Sequence, residues 1–314
     1  MKQVFRNLLA AGIASASLLS GASFAAGPLP PLPVMASFSI LGDLVRVVGG
    51  DRVSIATLVG PDEDAHVFEP RPTDAKTIAQ TKLLVTNGLG FDPWAQKLAK
   101  SAGYKGETVV ASKGVKPLAM TEKKGHDGKG HHHAEADPHA WQDPNNVVLY
   151  VRNIAAALEK IDPAGATTYQ ANAAAYVKEL QTFDAWAKEQ FAAIPAAKRK
   201  VITSHDAFGY FAAQYQIRFL APQGISTDAE PSAKQVAGLI RQIQRENIRA
   251  VFVENMSNPK LLEQLSKDAG AAVGAALYSD ALSGAGKPGA TYLQMMRHNV
   301  TQLAQGMRNE SALP

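Results

Sequence analysis

The chain has 314 residues, with 32 lysine and arginine residues, 28 aspartate and glutamate residues, and no cysteine. The lack of cysteine excludes disulfides and zinc–thiolate sites, and dispersed basic residues argue against nucleic-acid binding. The length is sufficient for two ordinary hydrophobic cores.

The first 26 residues have the pattern of a secretory signal peptide. Lys2 and Arg6 give a basic start, an apolar run follows from Leu8 to Leu19, and small residues at Ala25 and Ala26 suit cleavage. Without the two basic residues the net charge falls from +4 to +2. Because no later stretch supplies about 18 uncharged apolar residues, we expect a soluble periplasmic protein. Because there is no cysteine to modify, we expect no lipid anchor.

The first half of the mature chain alternates strand and helix patterns. Short apolar runs predict strands at Val34 to Phe38, Val53 to Val59, Lys82 to Thr86 and Thr108 to Ala111. Helical spacing or helix-start signals lie between them, at Ile40 to Val48, at Thr73 to Gln80 and from Pro93. This alternation predicts a parallel sheet flanked by helices.

A polar loop from Gly60 to His66 follows the second predicted strand. Open α/β sheets build binding sites at the carboxyl ends of their strands, so His66 is a candidate ligand. Glu69 is near enough to be a hydrogen-bond partner of His66, although a structural role for Glu69 is favoured.

Five of the eight histidines lie between residues 125 and 144: His126, His131, His132, His133 and His139. The first four are in a glycine-rich polar stretch, for which we predict a mobile loop (residues 123–136) with candidate accessory, low-affinity metal binding. This loop is either a solvated tract or a collector or docking point for metal. His139 stands between Pro138 and Trp141, which can fix the backbone, so it is a candidate arm of a defined site.

The rest of the chain predicts long helices and then a second α/β unit. Residues Asn145 to Glu159 and Pro163 to Ala193 are rich in helix formers, and the second stretch predicts one helix of about 30 residues, roughly 45 Å long. Further elements are predicted at Lys200 to Thr203, Phe208 to Tyr215, Pro231 to Glu246, Ile248 to Val253, Pro259 to Ala269 and Tyr292 to Met307. We therefore predict an N-terminal lobe (27–161), a linker helix (162–194) and a C-terminal lobe (195–314).

Four candidate ligands are spread over both predicted lobes: His66, His139, His205 and Asp280. They lie far apart in sequence, so a shared site must be assembled by the fold in the cleft between the lobes.

The chain resembles the metal-binding solute-binding proteins of ABC transporters, in the zinc and manganese uptake group, with the zinc members the better match. The segments that support this are Gly60-Pro61-Asp62-Glu63-Asp64-Ala65-His66-Val67-Phe68-Glu69-Pro70, Asp137-Pro138-His139-Ala140-Trp141, Ser204-His205-Asp206-Ala207-Phe208-Gly209-Tyr210-Phe211 and Tyr278-Ser279-Asp280. The resemblance implies two α/β lobes joined by one rigid helix, with His66, His139, His205 and Asp280 as metal ligands. It also implies delivery of the metal to a membrane permease, and a monomer is expected.

Three imidazoles and one carboxylate suit Zn²⁺, with four- or five-coordinate geometry left open. Manganese prefers harder oxygen donors, and in the family's manganese branch the third ligand is usually a carboxylate, where this chain has His205. Manganese binding is the first alternative, and an exported zinc hydrolase is an alternative from another class. The chain has no His-Glu-x-x-His helix, which argues against the hydrolase. Loading by a periplasmic metal donor protein is left open.

Overall fold

Two parallel sheets of four strands each organise the chain, for which a computed structural model describes residues 30–119 and 136–308. The predicted signal peptide and the accessory histidines His126, His131, His132 and His133 lie outside the described residues.

The first sheet follows the predicted alternation of strands and helices. Its strands are β1 (Leu32–Phe38), β2 (Val53–Val59), β3 (Leu83–Thr86) and β4 (Glu107–Val110), in the order β2-β1-β3-β4. The connecting helices are α1 (Ser39–Gly49), α2 (Pro72–Gln80) and α3 (Pro93–Ser101). Parallel strands require such crossover helices, which cover the sheet. We call this unit the N-terminal lobe.

Two long helices follow the first sheet: α4 (Pro144–Ile161) and α5 (Ala166–Ala192). The 27 residues of α5 span about 40 Å. The single helix predicted from Pro163 instead starts with a separate 3-10 turn at Pro163–Gly165. Gly165 fits this turn because a Cβ there would collide with the side chains of Arg52, Asp162 and Tyr169.

The second sheet repeats the strand order of the first. Its strands are β5 (Lys200–Ile202), β6 (Arg218–Leu220), β7 (Ala250–Val251) and β8 (Ala272–Val273), in the order β6-β5-β7-β8. Its helices are α6 (Gly209–Tyr215), α7 (Ala233–Glu246) and α8 (Lys260–Ala269), and the chain continues into α9 (Tyr292–Arg308). In each sheet the strand that comes first in the chain is an inner strand. The second strand pairs with one of its edges, and the third strand, followed by the fourth, lies on its other side. We call this unit the C-terminal lobe.

One continuous hydrophobic cluster runs through both lobes. It includes Val34 of β1, Tyr176 and Phe183 of α5, Phe211 of α6 and Val300 of α9. The predicted class, two α/β lobes with a long helix between them, is confirmed; the residue bounds proposed for the lobes stay a prediction. Among the helices described, none has the length and apolar character needed to cross a membrane.

Candidate metal centre

Four side chains from distant parts of the chain converge on one point between the lobes. His66 lies within the loop between β2 and α2, and His139 precedes a 3-10 helix at Ala140–Gln142. His205 follows β5, and Asp280 lies just beyond Leu277, which forms an isolated parallel bridge with Glu254. The structure therefore brings together all four residues that the sequence analysis singled out.

The facing atoms of the four side chains are close together. One nitrogen or oxygen from each residue lies within 4.8 Å of those from the others. Nε2 of His66 is 3.3 Å from Nε2 of His139 and 3.1 Å from Oδ2 of Asp280. Nε2 of His205 is 3.0 Å from the same oxygen, and Nε2 of His139 is 3.6 Å from Oδ1. Zinc with bonds of about 2.0–2.1 Å in tetrahedral geometry separates its ligand atoms by about 3.3–3.4 Å, so the spacing suits a bound divalent ion.

The cluster is buried, and part of it lacks hydrogen bonds. Side chains of His139, His205 and Asp280 have no exposed surface, and that of His66 is 7% exposed. Within the described residues, both carboxylate oxygens of Asp280 and both ring nitrogens of His205 lack a hydrogen bond of acceptable geometry. The short contacts between His205 and its neighbours are thus electrostatic contacts without good hydrogen-bond angles. Buried polar atoms without partners are costly, and a cation bound in the cluster would satisfy Nε2 of His205 and the carboxylate of Asp280, whereas Nδ1 of His205 faces Glu254.

Asp137 orients His139. Its Oδ1 lies 2.8 Å from the ring Nδ1 and also accepts the backbone N–H of His139 at 2.9 Å. A proton on Nδ1 leaves the lone pair of Nε2 facing the cluster, which is the tautomer that a metal ligand needs.

Glu254 has the corresponding position next to His205. Its Oε1 accepts the backbone N–H of His205 at 2.9 Å, and its Oε2 lies 2.5 Å from the ring Nδ1. Ser279 donates its hydroxyl proton to the same carboxylate at 2.6 Å. Glu254 is therefore fixed by both the residue that it orients and the segment that leads to Asp280.

The charges within the cluster shift two pKa values in opposite directions. Burial alone lowers the pKa of His205, but the negative charges of Glu254 and Asp280 outweigh it and raise this pKa well above its ordinary value. Burial alone raises the pKa of Asp280, but the neighbouring His205 and His139 hold it well below its usual range. Asp280 is therefore ionised and available as a carboxylate ligand.

Aromatic residues of the N-terminal lobe form one wall of the cluster. The ring of Phe91 lies 5.0 Å from the ring of His66, and Trp141 lies 5.3 Å from His139, measured between centroids. The indole N–H of Trp141 donates to the carbonyl of Ser279 at 2.9 Å, next to Asp280. Trp141 thus supports His139, as the sequence analysis suggested, and also contacts the segment of Asp280.

Two residues that shape the site were not identified from the sequence: Asp137 and Glu254. An aspartate two residues before His139 is a pattern for a local side-chain to backbone bond, so Asp137 had a detectable signal. Glu254 follows β7, and only the pairing of β7 with β5 brings it to His205. The suggested partner of His66, Glu69, is exposed, and Asp64 accepts the backbone N–H of His66.

Comparisons with known proteins agree with this architecture. A family model described as zinc-uptake complex component A, periplasmic, matches residues 34–306. The manganese-binding lipoprotein MntA of Halalkalibacterium halodurans is 32% identical over 276 residues, covering 88% of each chain. The iron-binding protein YfeA of Yersinia pestis is 32% identical over 298 residues, covering 94% of this chain and 93% of its own. The solved periplasmic zinc-binding protein TroA of Treponema pallidum has a TM-score of 0.79 and 26% identity, covering 88% of this chain and 99% of its own.

The comparisons also bear on the expected membrane attachment. MntA is named a lipoprotein, so the comparisons do not bear out the expectation that the present chain carries no lipid anchor. The sequence of the present chain contains no cysteine.

Proteins of this family bind divalent metals and work with the permease and ATPase components of ABC transporters. They are binding proteins rather than enzymes. With 273 consecutive residues matched by the family model, from 34 to 306, the chain belongs to the periplasmic zinc-uptake complex component A family of ABC-transporter substrate-binding proteins.

Proposed function

We propose that this protein captures Zn²⁺ in the periplasm through His66, His139, His205 and Asp280 and delivers it to the permease of an ABC importer. The observation that supports this best is the buried convergence of three imidazoles and one carboxylate, with unsatisfied atoms on His205 and Asp280.

The donor set favours zinc within the metals that the family binds. Imidazole nitrogen suits Zn²⁺, whereas Mn²⁺ prefers carboxylate, carbonyl and water oxygens, and this cluster offers only one carboxylate among four groups. For a given nitrogen-containing site, zinc also binds more tightly than manganese or iron in the divalent series.

Manganese is the alternative that a specific observation supports. MntA is named for manganese, and a similar solved structure is that of the manganese-bound periplasmic metal-binding protein of Candidatus Liberibacter asiaticus. An exported zinc hydrolase is not retained, because the family consists of substrate-binding proteins.

Metal analysis of the purified mature protein, followed by competitive titration with Zn²⁺ and Mn²⁺, tests the proposal. We expect one tight zinc per chain, lost in His139→Ala and kept in His298→Ala. His298 is the matched control because its ring contacts the carbonyl of Ala276 and not the cluster. Tight binding that survives His139→Ala would contradict the ligand assignment, and tighter binding of manganese would favour the alternative.

A deletion of residues 125–135 separates the cluster from the histidine-rich stretch. The deletion spares Ala136, which pairs with Ala119 in an isolated bridge. We expect the tight site to remain and any weaker additional sites to disappear. If the tight site disappeared with the deletion, the histidine-rich stretch itself would be the binder.

The variant His205→Glu examines the choice between the two metals. A carboxylate in place of His205, the third candidate ligand in chain order, should lower zinc affinity by more than about tenfold and should lower manganese affinity by a smaller factor. Glu254 lies against His205, so the single variant would place two buried carboxylates in contact, which is destabilising. The double variant His205→Glu/Glu254→Gln removes the repulsion from Glu254, and its comparison with Glu254→Gln alone gives the effect of the ligand change on each metal. Equal zinc affinity in the double variant and in Glu254→Gln would show that His205 is not a ligand.

A further inference from the structure

Asp62 of the N-terminal lobe reaches across the cleft and is held by four groups of the C-terminal lobe. Its backbone N–H donates to the carbonyl of Leu282 at 2.8 Å. Its Oδ1 accepts from the side-chain amide of Asn255 at 2.8 Å. Its Oδ2 accepts from the ammonium group of Lys287 at 3.1 Å and from the backbone N–H of Gly284 at 3.4 Å.

These partners are close in sequence to residues that form the C-terminal half of the candidate site. Asn255 directly follows Glu254, which contacts both the backbone and the ring of His205. Leu282 and Gly284 are two and four residues beyond Asp280. Asp62 itself is four residues before His66 in the same short loop. The contacts of Asp62 therefore connect the segment of His66 to the segments that place the two ligands from the C-terminal lobe.

The backbone at Asp62 is unusual for a residue with a side chain. Its φ angle is +59°, in the left-handed region that aspartate and asparagine tolerate better than most residues and that glycine adopts freely. This conformation turns the 60–66 loop so that both the N–H and the carboxylate of Asp62 face the C-terminal lobe.

A second contact across the cleft supports the same loop. The hydroxyl group of Thr227 donates to Oδ2 of Asp64 at 2.7 Å, while Oδ1 of Asp64 accepts the backbone N–H of His66 at 2.9 Å. The loop that presents His66 is thus fastened to the C-terminal lobe on both sides of Glu63.

We propose that Asp62 is a positioning residue that holds the 60–66 loop against the C-terminal lobe and thereby sets how fast bound metal is released. For His66 to move away from the other three ligands, the loop must separate from Asn255, Gly284, Leu282 and Lys287. This inference rests on the proposed function, since it requires that the cluster bind metal.

The charge of Asp62 strengthens these contacts. Burial alone raises the pKa of Asp62, but hydrogen bonds from Asn255 and Lys287 outweigh it and lower this pKa. The group is therefore ionised at neutral pH, and hydrogen bonds to a charged acceptor are stronger than neutral ones.

Two substitutions separate the side chain from the backbone. Asp62→Gly removes the carboxylate and keeps the left-handed backbone without strain. Asp62→Asn also tolerates the backbone and keeps an acceptor for Asn255, but it loses the charge that Lys287 contacts. The matched control is Glu63→Gln, because the Glu63 carboxylate accepts from Gly60 N–H within the same loop.

The test is stopped-flow transfer of Zn²⁺ from the loaded full-length mature protein to a chromophoric chelator, with association measured separately. We expect Asp62→Gly to release zinc at least about tenfold faster, and Asp62→Asn to fall between it and wild type. Association should change by less than about threefold, because it occurs before the loop closes, and Glu63→Gln should match wild type. In a double-mutant cycle, Lys287→Met should have little further effect once Asp62 is replaced.

Distinct results would overturn the inference or the function on which it rests. If wild type retains zinc and Asp62→Gly releases it at the wild-type rate, the inference is wrong and the proposed function stands. Equal changes in association and release, with lower thermal stability of the metal-free variant, would show that Asp62 is only structural. If the wild-type protein retains no zinc, the proposed function is wrong, and the inference about Asp62 is wrong with it.

Discussion

The carboxylate of Glu254 is the residue-scale feature with the clearest chemical consequence. It is buried and lies on the Nδ1 side of His205, while Asp280 lies on the Nε2 side. A carboxylate behind a metal-bound histidine fixes the ring and increases its basicity, and such partners affect metal affinity almost as directly as the ligands do.

We predict that Glu254→Gln lowers zinc affinity by about 10- to 100-fold, because His205 loses a charged partner and the restraint on its ring. Competitive chelator titration measures the change. Glu246→Gln is a matched control in the same lobe, where Glu246 pairs with Arg218 and Lys200. Wild-type affinity in Glu254→Gln would show that the restraint on His205 has no role in binding.

The raised pKa of His205 predicts how binding depends on pH. Since the negative charges of Glu254 and Asp280 outweigh the effect of burial, His205 of the metal-free protein keeps its imidazole proton to a higher pH than an ordinary histidine does. Zinc must displace that proton, so the apparent zinc affinity should fall as the pH is lowered, and the fall should begin at a higher pH than for a site with an ordinary histidine, whose pKa is about 6.5. Proton release measured by calorimetry in several buffers checks this. The same slope in wild type and Glu254→Gln would contradict the role given to Glu254.

At the residue scale, the sequence pointed to a candidate ligand where that residue was part of a local pattern. His66 and His139 lie in turn-rich segments, and His205 ends a short β-branched run, so each could be noticed in isolation. Glu254 could not, because nothing in its own neighbourhood relates it to His205, 49 residues away along the chain. Its role depends on the parallel pairing of β5 and β7, which is set by the tertiary fold.

Helix α5 shows how one element connects both lobes. Its buried side chains recur every three or four residues and form one stripe along the helix: Tyr169, Ala173, Tyr176, Leu180, Phe183, Ala187 and Phe191. Near the start of the helix, the side-chain amide of Asn172 donates to the carbonyl of Val48 in α1. Towards its end, Phe191 contacts Phe211 of α6 with ring centroids 5.8 Å apart.

The polar residue within this stripe, Asp184, allows a stability test. It is 7% exposed and accepts hydrogen bonds from Gln214 at 2.7 Å and from the buried hydroxyl of Tyr215 at 3.1 Å. We predict that Asp184→Ala destabilises the protein by about 1–3 kcal/mol, because the Tyr215 hydroxyl loses its acceptor. Urea unfolding of the metal-free protein measures the loss.

The exposed partner of Asp184 provides the control. Lys188 contacts the same carboxylate at 2.7 Å, but its side chain is 55% exposed. Lys188→Ala should therefore cost no more than about 0.5 kcal/mol. Equal losses in the two variants would show that the helix contact does not depend on the buried hydroxyl of Tyr215.

Two strands of the second sheet were absent from the sequence-based prediction. β6 has three residues and β8 has two, and both lie at the edges of their sheet. Periodicity needs about four to eight residues to be recognised, and edge strands lack the continuous apolar run of central ones. Pairing with β5 and β7, rather than local sequence, defines these strands.

At the scale of the whole molecule, the alternation of elements was sufficient to predict two α/β lobes and the long helix between them. The sequence contains no convincing repeat, yet both sheets have the same strand order. His66 follows β2 and His205 follows β5, so each sheet contributes a candidate ligand just beyond the carboxyl end of one of its strands. What could not be predicted was the continuity of the core. The hydrophobic cluster includes residues of both lobes, of α5 and of α9, and such long-range packing is not visible in local patterns.

This continuous core predicts that metal release involves local rearrangement rather than wide separation of the lobes. Arg297 of α9 lies over the rings of Phe183 and Trp186 of α5, at 5.8 and 5.2 Å from their centroids. A hinge motion would have to open these contacts and expose buried apolar surface, whereas movement of the 60–66 loop breaks mainly polar contacts that water can replace.

We therefore expect small-angle scattering to give the same radius of gyration, within measurement error, with and without zinc. His139→Ala, measured with zinc added, controls for nonspecific effects of the ion. A clear decrease on adding zinc to wild type, absent in that variant, would show that the lobes close as rigid bodies and that the core between them is not the constraint inferred from the packing of α5.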